Sequence, residues 1–234
     1  MYFRDFNYFN SLSLAAGLVI LSFVIYAAIN RKTLKALPCF IVFSVINLIV
    51  CISTFFMLSL SDAGTAGVFA MILAGALFLS PASFICYMIN ILDAELSKSN
   101  KYLRLLFYSP AVIITAIVLG TGSISVTDGK FGYMLYCPNL MIVDTFYFTT
   151  MYLVIIAIIS YEIHRNRKNR INPRPAALLL AGALSYFVTA IIYYSIYMTG
   201  LHYKLPIQFI QLFLLYIFAA LVMLYARRHN KNLS

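Results

Sequence analysis

The sequence predicts an all-α fold: a polytopic membrane bundle of seven transmembrane helices, N-terminus out and C-terminus in, forming one domain over residues 1–234. Three observations carry that prediction. Hydrophobic residues make up 63% of the chain and charged residues only 10%, where a soluble domain carries about a quarter charged. Charge that sparse cannot coat a globule of this size, so most of the surface has to face lipid. Seven stretches also reach the roughly 20 apolar residues that a helix, rising about 1.5 Å per residue, needs to cross some 30 Å of hydrocarbon. Finally, Lys and Arg are unevenly shared between alternate loops, as expected when successive loops lie on opposite sides of a bilayer.

Taken in order, the first span is 9–29. Its apolar run is too long for a cleaved leader and its positive charges follow it, in RKTLK, so it is read as a retained helix. RKTLKALP leads into the second span, 38–60, which carries Asn47 near its middle. SDAGTAG separates that span from the third, 68–92, with Ser80, Pro81 and Ser83 at its centre and Tyr87 and Asn90 farther along. DAELSKSNKYLR precedes the fourth, 105–122, where Pro110 is expected to give a kink. The segment around SVTDGKFGYMLYCP is read as a separator before the fifth span, 139–161. EIHRNRKNRINPRP precedes the sixth, 176–199, and GLHYKLP the seventh, 207–226.

The loops after the first, third and fifth spans, with the tail, hold Arg31, Lys32, Lys35, Lys98, Lys101, Arg104, Arg165, Arg167, Lys168, Arg170, Arg174, Arg227, Arg228 and Lys231. The opposite side holds only Arg4, Lys130 and Lys204. Positive charge stays on the cytoplasmic side, which puts the C-terminus in the cytoplasm and the protein in the inner, or plasma, membrane. The net charge of +10 is thus an orientation signal against anionic lipid, densest around His164, and not a nucleic-acid surface. The Asn232-Leu233-Ser234 sequon lies on this cytoplasmic tail and is read as meaningless.

Several chemistries are excluded at this stage. The seventh span has no lysine for a retinal Schiff base, since Lys204 precedes it. HExxH, GxSxG and phosphate-binding glycine loops are missing, so no catalysis, cofactor or metal is expected. The cysteines at 39, 51, 86 and 137 have no metal-like spacing and no disulfide pattern.

Two groups of residues are candidates for function. Asp144 enters the fifth span, about 9 Å along its helix from Pro138. It reads either as an interfacial carboxylate or as the polar anchor of an outward-facing ligand pocket. Tyr147, Tyr193, Tyr194, Tyr197, Gln208 and Gln211 are expected at similar depth, several of them paired at i,i+3 or i,i+4 on one helix face. The tyrosines alone also suit an interfacial aromatic belt. The second group is Pro81 with Ser80, Ser83 and Asn47: a proline kink whose freed carbonyls one of these three side chains would satisfy, either as packing glue or as the moving element of a switch.

A family resemblance rests on RKTLKALP before the second span, FLSPASFICYMINIL with its mid-helix proline in the third, and NKYLRLLFYSPAVIITAI in the fourth. It extends through KFGYMLYCP before the fifth and LPIQFIQLFLLYIFAALVMLYARRH at the end. With these features the chain resembles the seven-transmembrane N-terminal sensor region of bacterial histidine kinases. In that family the bundle feeds a signalling helix, often a PAS domain, and then a kinase or cyclase. This sequence stops eight residues past the last span without a phosphoacceptor-histidine or ATP-binding segment, so a stand-alone receptor-like protein and a part of a longer architecture are both open. The expected function is a sensory module acting on a cytoplasmic kinase, cyclase or other signalling partner, with a small-molecule ligand and a homodimer among its expected associations. The rival is a small secondary transporter of a neutral or weakly cationic solute, built on Asp144 and the tyrosines. An intramembrane enzyme ranks last, for want of two facing catalytic groups.

Overall fold

Along the first helix Leu14, Leu18, Leu21 and Ile25 lie exposed in one stripe, while Asn10 and Ser13 are buried. That distribution inverts what water selects and matches what lipid selects, where apolar side chains face outward and polar ones bridge helices. The computed structural model describes residues 8–29, 37–92, 101–122, 124–129, 132–136, 141–168, 174–198 and 207–231. Its helices are α1 (Tyr8–Ile29), α2 (Leu37–Ser59), α3 (Ala63–Ile91), α4 (Lys101–Gly120), α5 (Met141–Lys168), α6 (Arg174–Met198) and α7 (Ile207–Lys231). Among the described residues, four helical stretches are long and apolar enough to cross a membrane: α1, α2, α3 and Phe146–Lys168 of α5. The described apolar parts of the other three are shorter, at Leu105–Gly120, Arg174–Thr189 and Phe213–Tyr225. The chain is therefore an all-α membrane protein by composition and build.

Helix positions follow the expected spans closely, but α4 starts at Lys101, before 105, α7 runs past 226 to Lys231, and three further differences have a local cause or consequence. α3 starts earlier than 68, because Asp62 caps it: its carboxylate accepts from the Thr65 backbone N–H at 2.7 Å and from the Thr65 hydroxyl. α5 continues past 161 to Lys168, so Glu162 and His164, expected in a loop, are helical. Arg165, Arg167 and Lys168 occupy its last turn, where the negative end of the helix dipole favours cations. The expected separator SVTDGKFGYMLYCP contains a β-hairpin, β1 (Ser125–Gly129) and β2 (Gly132–Tyr136), antiparallel with Gly129 opposite Gly132.

The longest seam joins α2 to α3, linked by only Leu60, Ser61 and Asp62. α2 also packs on α1 and α7, and α3 on α4 and α5; α5, α6 and α7 follow side by side, and α7 returns to α1. Small residues permit the closest approaches. A Cβ on Gly182 of α6 would lie 2.7 Å from Phe218 Cβ of α7, and one on Gly17 of α1 3.5 Å from Cys51 Cβ of α2. α4 is peripheral, its buried described residues being Ala111 and Val118. The hairpin sits against the end of α2 and the adjoining α3. Tyr133 donates its hydroxyl hydrogen to Ser61 O at 3.2 Å, and Gly132 (φ 124°) lies where any Cβ would overlap the Leu58 carbonyl.

Candidate functional site

Six of the residues expected to line an outer pocket fall at one end of three adjacent helices. Asp144 is in the first turn of α5, Tyr193, Tyr194 and Tyr197 in the last turns of α6, and Gln208 and Gln211 in the first turns of α7. α6 packs against both α5 and α7, so the helices carrying these residues are neighbours. The six side chains lie outside the described residues.

Tyr147 is among the described residues, and its side chain packs against α3. The side chain is buried, and its hydroxyl donates to Phe78 O of α3 at 2.7 Å. Its ring meets Phe78 edge-on at 5.7 Å and Phe148 at 5.3 Å. Tyr147 thus ties α5 to α3, one residue past the Leu77 carbonyl that Pro81, lacking an N–H, leaves without its helical donor.

The sequence assigned that relief to Ser80, Ser83 or Asn47, and the side-chain hydrogen bonds of Ser83 and Asn47 go elsewhere. Ser83 donates to Ser80 O and Asn47 Nδ2 to Phe43 O, each at 2.7 Å. Short polar side chains reach the carbonyl three or four residues back on their own helix more readily than a neighbour's. Ser80 Oγ and Asn47 Oδ1 are buried with no hydrogen-bond partner. α3 runs through Pro81 as one helix.

Towards the other end of the bundle, aromatic rings fill the space between α2, α3 and α7. Phe40 lies 5.3 Å from Tyr87 and 5.8 Å from Tyr216; Phe43 stacks on Tyr87 at 6.3 Å and on Tyr216 at 5.9 Å. Phe84 closes the group against Phe43 at 5.4 Å. Two polar links run through the rings: Tyr87 donates to Ala219 O at 2.8 Å, and Ser44 Oγ is hydrogen-bonded to Tyr216 Oη at 3.2 Å. Asn90 donates to Cys86 O at 2.6 Å and to Cys39 Sγ at 3.4 Å. At the opposite end Asn10 donates to Ser59 Oγ at 3.0 Å, joining α1 to α2.

Sequence reasoning missed Ser44, Tyr216, Asn10, Ser59 and Glu162. Ser44 was within reach, since it shares a face with Asn47 at i,i+3. Tyr216 and Asn10 needed helix rotation, which span length does not supply. Glu162 is buried and pairs with Arg165 at 3.2 Å; placing it in a loop concealed it. Among the described residues no three of His, Cys, Asp and Glu gather where they could hold a metal. The arrangement joins helices through neutral hydrogen bonds and rings.

Searched against known families, the chain matches no family model, and no curated protein matches it.

Proposed function

We propose that this is a multi-pass protein of the inner, or plasma, membrane with seven spans, N-terminus outside and C-terminus in the cytoplasm. It acts as a sensory or signal-transducing module, in the manner of the histidine-kinase sensor regions it resembles. A small molecule binds in an outward-facing pocket on α5, α6 and α7, and the bundle carries no catalysis of its own. The output passes along α7 to a cytoplasmic kinase, cyclase or other signalling partner.

The observation that carries this reading is the double link of α7 to the central helices: Tyr87 of α3 bonds to Ala219 O, and Tyr216 is set among Phe40, Phe43 and Ser44 of α2. A helix is stiff along its axis, so a shift imposed on its outer turns reaches these links and the basic stretch beyond them. The 14-to-3 partition of Lys and Arg supports the orientation. The ring-filled inner level supports signalling over transport, because a transporter needs a polar path opening to both sides.

Spin labels at Tyr161 and Leu224, exposed positions near the ends of α5 and α7, test the proposal in nanodiscs. A small-molecule library should contain a compound that shifts the distance between the labels. Uphill accumulation of a solute in proteoliposomes, or a distance unmoved across the library, would overturn the signalling assignment.

A further inference from the structure

Asn47 and Ser80 are fully buried, and each keeps one polar atom, Oδ1 and Oγ respectively, without a partner. Orphaned polar atoms in an apolar interior are rare, because water lost on burial has to be replaced. Asn47 lies on α2 and Ser80 on α3, the two helices of one seam. Ring contacts of Phe40 with Tyr87 and of Phe43 with Phe84 fix the antiparallel register of α2 and α3. Carried along the same faces, that register sets Asn47 opposite Ser80. A third acceptor belongs to the same place: Leu77 O, one turn before Ser80, has no helical donor because residue 81 is proline.

The deficit has a definite chemistry. Asn47 Oδ1 and Leu77 O accept only, while Ser80 Oγ both donates and accepts. Two side-chain donors on these helices are committed, Asn47 Nδ2 to Phe43 O and Ser83 Oγ to Ser80 O. What fits is a guest with two hydrogens to give and one lone pair to offer, small enough to lie between two packed helices. No carboxylate lies along α2 or α3 to neutralise a cation. We propose that one internal water molecule occupies this seam, donating to Asn47 Oδ1 and Leu77 O and accepting from Ser80 Oγ. Such a water makes the seam a hydrated hinge, since its bonds can re-form in a new geometry when the two halves of α3 move about Pro81.

A density map of the full chain in nanodiscs, at a resolution that shows ordered water, decides the matter. Density within hydrogen-bond reach of both Asn47 Oδ1 and Ser80 Oγ is expected. In melting experiments, Ser80→Ala and Asn47→Leu should each lower Tm, and the double variant should melt no lower than the worse single one, because both remove the same bridge. Ser80→Thr, which keeps the hydroxyl, should retain the density. A map with Ser80 Oγ bonded directly to Asn47 Oδ1, or an empty seam with Ser80→Ala melting at or above the parent, would overturn the proposal.

Discussion

The phenolic hydrogen of Tyr87 on α3 is given to the backbone carbonyl of Ala219 on α7, 2.8 Å away and 132 residues distant in sequence. The ring is fully buried among Phe40, Phe43 and Phe84. Ring and hydroxyl therefore contribute separately to one junction.

Separate replacements should show this. Tyr87→Phe keeps the ring and removes the bond, for an expected loss of about 0.5–1.5 kcal/mol; interhelical hydrogen bonds in membranes average near the low end. Tyr87→Ala also opens a cavity and should cost about 3–5 kcal/mol. Unfolding of purified protein in detergent checks both, and equal losses would mean the hydroxyl contributes nothing.

The α6–α7 contact admits a reciprocal test. In Gly182→Ala the new methyl group meets Phe218 Cβ at 2.7 Å and Cγ at 3.1 Å, too close for either helix to stay in place. Overpacking of this kind costs about 1–3 kcal/mol. Phe218→Gly, which removes the Cβ that the new methyl group meets, should make the double variant lose less than the sum of the two single losses, as thermal melting of the single and double variants would reveal.

Orientation is tested without a ligand. A reporter fused after Ser234 should be active only in the cytoplasm, and a tag before Tyr2 should be reachable from outside intact cells. A C-terminus on the outer side would reverse the reading of the charge partition.

Asp62 gives a pH dependence whose direction follows from its bonds. The Thr65 hydroxyl and backbone N–H both donate to the carboxylate and hold its pKa below the usual value for aspartate. A carboxyl group with a depressed folded-state pKa contributes stability that is fully present above its unfolded-state pKa and is lost as pH falls through the folded value. Acid should therefore narrow the Tm difference between the parent and Asp62→Ala. Asp62→Asn, which keeps an acceptor but does not titrate there, should remove that part of the pH dependence.

The helices were legible because lipid demands a minimum apolar length, and the runs at 9–29 and 38–60 meet it within a residue or so of the observed ends of α1 and α2. Their partners were not. α3 is buried on most sides, with residues from Leu73 to Ile89 largely enclosed, so its sequence has no single apolar face from which to read rotation. The hairpin left a trace in the two glycines bounding Lys130 and Phe131, but its position depends on the Leu58 carbonyl, far away in sequence. Tyr147 shows the same lesson: its sequence position gave no direction for the side chain, which the contact with Phe78 of α3 sets.

The three-residue link between α2 and α3 has a consequence for how the protein is made. Two antiparallel helices so closely joined can enter the bilayer as one unit soon after α3 leaves the ribosome, with little chain entropy to lose. Their paired surface then exists before α4, α5 and α7 arrive, and each of these later helices docks on a ready-made wall instead of searching for partners among free helices. A polar group such as Asn47 is thereby enclosed early, before it spends long facing lipid alone.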